Sequence, residues 1–235
     1  MEREAAVDAE SVLRELKSHG SPAAVKGMAR FGISSKNTLG VSVPTIRGLA
    51  KKLGKDHALA LALWESGIHE ARLLAPMVDE PGKVTEAQME KWVRDFDSWD
   101  VCDQCCSNLF DRTRLAYGKA SAWAGREPEF VKRAGFALMA ALAVHDKKAD
   151  DKAFVSFLEL IEKGATDERN FVKKAVNWAL RQIGKRNVRL NREALVAAKE
   201  ISKLKSPAAR WVASDAIKEL RSEAVQSRLR RSSAA

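Results

Sequence analysis

No stretch of this sequence approaches the roughly 18 consecutive apolar residues that a membrane-spanning helix requires. The opening Met1-Glu2-Arg3-Glu4 is charged where a secretion signal needs an apolar segment. Cysteine is scarce, and Cys102, Cys105 and Cys106 lie too close together to build a disulfide framework. A reduced cytoplasm, with no membrane partner, is the expected setting. Only 6 prolines, 1 tyrosine and 4 histidines occur among 235 residues. The histidines are scattered, which gives a Ser-His-Asp arrangement no support. Phosphate-loop, dinucleotide-binding and nucleophile-elbow motifs are absent too. The cysteines have roughly helical spacing but no paired His or Cys motif beside them. They are expected to be small core residues, with no metal and no cofactor.

What the chain does have is apolar content and positive charge. Hydrophobic residues make up 46% of it, ample for a sizeable core, and the formal net charge is +10. The charge is one-sided. Residues 1–100 hold 14 basic and 15 acidic side chains, whereas residues 101–235 hold 27 and 16. The stretch from Lys173 to Arg192 carries seven basic residues and no acid. Such a field concentrates polyanions near one part of the surface, although a charge run alone also suits a solvated face kept for solubility.

Ala, Leu, Lys, Arg and Glu recur throughout, a composition that favours helix over sheet. Start signals are frequent. Ser21-Pro22 and Ser206-Pro207 read as N-caps followed by Pro in the first turn, Thr85-Glu86-Ala87-Gln88 as a capping box, and Glu127-Pro128 as another opening. Apolar residues then follow at helical spacing: Met89, Trp92, Val93 and Phe96; Val131, Ala134, Leu138, Ala141 and Leu142; Trp211, Val212, Ala216 and Leu220. This predicts about a dozen helices and no strand. Phe130-Val131-Lys132-Arg133-Ala134 recurs as Phe171-Val172-Lys173-Lys174-Ala175, with looser echoes at Glu70-Ala71-Arg72 and Ala209-Arg210-Trp211-Val212. Taking Arg72, Asp103, Arg133, Lys174 and Arg210 as equivalent gives irregular periods of the size seen in stacked antiparallel helix pairs of the HEAT type. The expectation is an all-α solenoid with a concave face, one domain over residues 1–227, and a disordered tail at 228–235.

Two constellations bear on chemistry. Asp97 or Ser98 caps a helix expected to reach Phe110, and Asp100 in its first turn suits the helix dipole. Asp103 lies a turn further in, on the same face as Trp99, at a place where the other repeats carry Arg or Lys. A carboxylate among cations beside an indole is either an ion-pair hub or a reactive group. The second constellation is Lys174, Trp178, Arg181 and Lys185, one stripe of a helix whose separate apolar stripe is Val172, Val176, Ala179 and Ile183. A ring interleaved with cations suits nucleic acid, the charges holding phosphates and the ring a sugar or base. The alternative is a Trp covered by the aliphatic stems of Lys and Arg.

These residues give the chain its resemblance to the AlkD-type DNA alkylation-repair glycosylases. Leu39-Gly40-Val41-Ser42-Val43-Pro44-Thr45-Ile46-Arg47 resembles an N-terminal signature of that family, and Leu63-Trp64-Glu65-Ser66 with His69-Glu70-Ala71-Arg72 its next helix pair. Ser98-Trp99-Asp100-Val101-Cys102-Asp103 and the helix from Phe171 to Leu180 are similar to its Trp-Asp and Lys-Lys-Ala…Trp motifs. The resemblance, over roughly residues 20–220, implies a HEAT-like solenoid that holds duplex DNA and excises purines alkylated on a ring nitrogen. It implies a catalytic carboxylate at Asp103, DNA-facing tryptophans at Trp99 and Trp178, and a phosphate contact at Arg133. Lys173, Lys174, Arg181 and Lys185 join the expected DNA-binding set. So do Phe31 and Ser42, which stand where relatives carry a Tyr and a longer amide, as Ser98 replaces an aromatic beside Trp99. A monomer acting on alkylated duplex DNA is the expectation.

Such a sparse site is chemically coherent. An N3- or N7-alkylated purine is cationic and leaves its sugar without protonation, so no general acid is required. A carboxylate stabilises the developing oxocarbenium-like sugar or orients a water. Indole faces hold the cationic base. A non-catalytic relative that binds damaged or branched DNA would use the same basic face, and a protein-binding scaffold is the reading from another class.

Overall fold

The computed structural model describes residues 8–233, and all regular structure among them is helical. The chain divides into two compact units at Thr113/Arg114. The first unit holds α1 (Ala9–Ser18), α2 (Pro22–Ala29), α3 (Val43–Leu53), α4 (His57–Glu65), α5 (His69–Val78), α6 (Glu86–Arg94) and α7 (Trp99–Asn108). Two short 3-10 turns, Pro81–Lys83 and Phe110–Arg112, flank its last helices. The second unit holds α8 (Ala116–Ala124), α9 (Glu129–His145), α10 (Asp151–Gly164), α11 (Asn170–Gly184), α12 (Val188–Ser202), α13 (Pro207–Leu220) and α14 (Glu223–Ser233).

The start signals act as their chemistry requires. Ser21, Thr85 and Ser206 each accept a hydrogen bond from the backbone N–H three residues on, which satisfies donors that the first helical turn leaves unpaired. At Glu127-Pro128 the helix begins one residue later than the motif, with Pro128 as N-cap. The helix opened by Ser98 stops at Asn108 and gives way to a 3-10 turn, short of the expected Phe110. The helix opened by Ser206-Pro207 is followed by a further one, α14, which carries much of the expected tail as helix. There Leu229 is buried, and the Arg228 guanidinium donates to the Lys185 carbonyl at 2.7 Å.

Each unit has its own core. In the first, Trp64 and Trp92 stack with centroids 4.0 Å apart, and Phe96 meets Trp64 edge-on at 6.0 Å. The Trp64 indole N–H is satisfied by Asp95 at 2.9 Å. In the second, α9 and α11 pack side by side, and their first-turn rings Phe130 and Phe171 meet at 5.5 Å. The two echoes of the repeat are therefore spatial neighbours. The Arg133 guanidinium bridges them by donating to the Phe171 carbonyl at 2.6 Å. Gly135 lets α9 approach α8, since a Cβ there would run into the Ala124 backbone.

One apolar assignment fails. Trp211, placed on the core stripe with Val212, Ala216 and Leu220, is 41% exposed, while the other three are buried. The burial pattern explains it. Val172 and Ala175 are buried around the less buried pair Lys173 and Lys174, just as Ala209 and Val212 are buried around the exposed Arg210 and Trp211. Trp211 thus answers to Lys174 and Arg210 to Lys173, one residue off the register in which Arg210 matched Lys174.

Candidate functional site

In the first unit the site grows from α7. Trp99 and Asp103 lie one turn apart on it, both half-buried. Ser98 caps the helix without a side-chain bond to its N–H groups. The Trp99 indole N–H reaches across to the Phe31 carbonyl at 3.1 Å, fixing the ring against the turn after α2. The Phe31 side chain is 68% exposed, the most open large apolar group among the described residues. Phe31 and Trp99, expected only to share a function, are thus physically joined. The exposed Ser42 caps α3 with its hydroxyl, which also shares a 2.8 Å hydrogen bond with the Thr45 hydroxyl.

Two acids, the half-buried Asp100 and the buried Glu70, hold this part of the fold. The Asp100 carboxylate pairs with His69 Nε2 at 2.9 Å and accepts the Val101 N–H at 3.0 Å. Burial by itself would lower the His69 pKa, but the hydrogen bond and charge of Asp100 outweigh it and raise the value. Asp100 moves down despite its own burial, because His69 bonds to it and Ser98 and the Val101 N–H add to that effect. Glu70, fully buried, accepts the N–H groups of Leu39, Gly40 and Val41 at 2.8, 2.6 and 3.3 Å. Gly40 sits at φ 80, and a Cβ there would collide with the Ser21 carbonyl. Two motifs read separately in the sequence are therefore two halves of one contact. The signal for it was a Glu in the first turn of α5, which helix-dipole reasoning alone already accounts for.

The three cysteines are fully buried. Burial pushes the Cys105 and Cys106 thiols well up, with neighbouring Cys102 adding to the effect. No group of three or more His, Cys, Asp or Glu able to hold a metal occurs among the described residues.

In the second unit, α11 carries Lys173, Lys174, Trp178 and Arg181, and Lys185 caps its end. Their surroundings differ. Lys174 is exposed and Trp178 half-buried, while Lys173 Nζ lies over the Trp211 ring, 5.5 Å from its centroid. Arg181 and Lys185, read as phosphate contacts, are both bound to Glu219 of α13: Arg181 through Nη1, and Lys185 at 2.6 Å. Burial alone would raise the Glu219 pKa, but bonds from Lys185 and Arg181 outweigh it and lower the value. Arg133 is only 5% exposed and spends one N–H on Phe171. Lys132, its neighbour in the repeat, is neutralised by Asp167 at 3.1 Å, so the equivalent Lys173 is the one that meets a ring.

Fourteen helices without a strand among the described residues, with a sequence repeat whose copies pack together, define a HEAT-like helical-repeat protein. The sequence matches the family described as DNA alkylation repair enzyme over residues 12–220, and the chain belongs to that family. It is similar to the protein described as "Uncharacterized protein Lin0241" from Listeria innocua serovar 6a (strain ATCC BAA-680 / CLIP 11262), 23% identical over 194 residues, 81% of this chain and 84% of that protein. It is also similar, with a TM-score of 0.79 and 19% identity over 95% of this chain and 96% of the other, to a solved structure. That structure is described as representing a new family of proteins related to the HEAT-like repeat DNA glycosylases, with affinity for branched DNA structures. At this identity the likeness establishes the fold. No helix among the described residues is long and apolar enough to cross a membrane.

Proposed function

We propose that this protein is a DNA glycosylase that hydrolyses the N-glycosidic bond of N3- or N7-alkylated purines in duplex DNA, acting in the cytoplasm as a monomer without cofactor. The observation that carries the reading is the pairing of Trp99 and Asp103 one turn apart on α7, with the indole anchored on the Phe31 carbonyl. A ring held at its N–H cannot rotate freely. Its face is set for a flat cationic base, while the carboxylate beside it opposes the positive charge that grows on the sugar. Asp103 supplies that charge stabilisation and Trp99 and Trp178 supply ring faces. Lys173 and Lys174 contact phosphates, and the Arg133 guanidinium, bonded to the Phe171 carbonyl on the same helix, adds positive charge.

A second reading is favoured by one finding. The structural relative of similar length is described by its affinity for branched DNA. On that reading this chain binds DNA through the same side chains and breaks no bond.

Release of free 7-methylguanine and 3-methyladenine from a methylated duplex separates the two. Base release under single-turnover conditions is the expected result. DNA binding without release from any alkylated duplex gives the second reading the function.

A further inference from the structure

The first unit has near-balanced charge in sequence, yet its fold gathers cations that the chain keeps far apart. Arg47 on α3, Lys55 before α4 and Arg112 in the 3-10 turn after α7 line one cavity of about 300 Å³. Ala50, Met77 and Asn108 complete the lining, and no carboxylate is part of it. The volume holds a phosphoryl group with several hydrating waters, each of which takes about 30 Å³ in the liquid.

The donors are in place and largely unused. Lys55 Nζ gives two hydrogen bonds to the carbonyls of Met77 and Asp79, at 2.9 and 2.8 Å. An ammonium has three N–H groups, so one is left over. The guanidinium groups of Arg47 and Arg112 make no hydrogen bond to any described residue. Of the two nearby acids, Asp79 is directed elsewhere. Asp79 is engaged with His57, Gln88 and the Glu80 N–H at 2.6, 2.7 and 2.7 Å. Asp111 is buried and pairs loosely with Arg112, its carboxylate 4.0 Å from Nε, a distance that leaves the guanidinium N–H groups without a hydrogen bond from it. Lys55 registers the crowding: burial lowers its pKa first and the charge of Arg112 lowers it further, more than Asp79 and Glu80 raise it.

We propose that this cavity is a phosphate-binding site, distinct from the Trp99–Asp103 site, in which Arg47 and Arg112 grip the oxygens and Lys55 supplies a fixed positive charge. Forked guanidinium donors match tetrahedral oxyanions two oxygens at a time, and a dianion relieves the mutual repulsion of the cations. The phosphoryl group belongs either to a DNA backbone or to a free or terminal phosphate.

The test is calorimetric titration of the full chain with inorganic phosphate in an anion-poor buffer, repeated on Arg47→Gln and Arg112→Gln. Neither guanidinium supports the fold through a hydrogen bond, and circular dichroism checks that both variants remain helical. If Arg112→Gln fails to fold, Arg47→Gln on the exposed face of α3 carries the measurement. One saturable site is expected, weakened about tenfold or more in each variant. Closed circular DNA, which has no ends, identifies the source. Parallel weakening of its binding assigns a backbone phosphate, and unchanged binding assigns a free or terminal one. Absence of a saturable site in the wild type, or binding indifferent to both substitutions, overturns the proposal. Base release from alkylated duplex is read separately, so failure here leaves the glycosylase reading standing.

Discussion

The indole N–H of Trp99 donates to the backbone carbonyl of Phe31 at 3.1 Å, tying the first turn of α7 to the turn that follows α2. Because the bond is to backbone, the Phe31 side chain is not needed to make it. With 68% of that side chain exposed, Phe31→Ala is expected to change thermal stability by less than about 0.5 kcal/mol. If the ring serves DNA, the same change lowers affinity for duplex by the amount a lost stacking partner costs, about 1–3 kcal/mol. Equal affinities for wild type and variant remove Phe31 from the interface.

Asp103→Asn is the sharpest test of the chemistry. It keeps size and removes charge. Single-turnover release of 7-methylguanine is expected to slow by about 100-fold or more, while duplex affinity holds or rises because a charge that repels phosphate has gone. If Asp103 only joins an ion-pair network, the variant instead loses stability and every function together. Wild-type-like release by a stably folded variant takes Asp103 out of the mechanism.

The two ends of the basic stripe on α11 should respond differently. Lys174 is exposed, so Lys174→Ala is expected to flatten the salt dependence of DNA binding by about 0.9 log unit per log unit of salt, one phosphate contact. Arg181 is bound to Glu219, so Arg181→Ala should act mainly through stability, since it leaves a half-buried carboxylate with Lys185 alone. Slopes that change equally in both variants contradict this division.

The His69–Asp100 pair makes stability depend on pH. The folded pKa of His69 is raised, so its contribution is complete below its unfolded value of about 6.5 and fades as pH rises through the folded value. The folded pKa of Asp100 is lowered, so its contribution is complete above about 3.9 and fades as pH falls through the folded value. Between roughly pH 4 and 6.5 both are present. The difference in Tm between wild type and His69→Gln should therefore be widest there and narrow toward alkaline pH. A gap that is constant across this range would show that the pair does not titrate with folding.

Cys102, Cys105 and Cys106 are buried, with Cys105 and Cys106 held as thiols, so alkylating reagents should modify them only as fast as the chain unfolds. Base release should survive chelator, and Cys105→Ala should cost about 1 kcal/mol or more through the cavity it leaves. One tightly held zinc per chain is the finding that would reverse this.

Local chemistry, visible along the chain, determined most of the helices. Caps such as Ser21, Thr85 and Ser206 act within three residues, and the stripe Val172, Val176, Ala179 and Ile183 is buried as its spacing demands. The placement of Trp99 beside Asp103 is likewise a matter of helical period. Contacts between distant residues were settled by packing alone. Nothing near Glu70 announces that its carboxylate will hold the backbone of Leu39, Gly40 and Val41, and nothing near Arg47 announces Arg112. Trp211 shows how little separates the two levels: a register shift of one residue turns a core ring into a surface one, because on a helix each step rotates a side chain by about 100°. The sequence counted the cations of α11, but only the tertiary structure decided which of them Glu219 would claim, since a charge's partner depends on through-space distance and not on spacing along the chain.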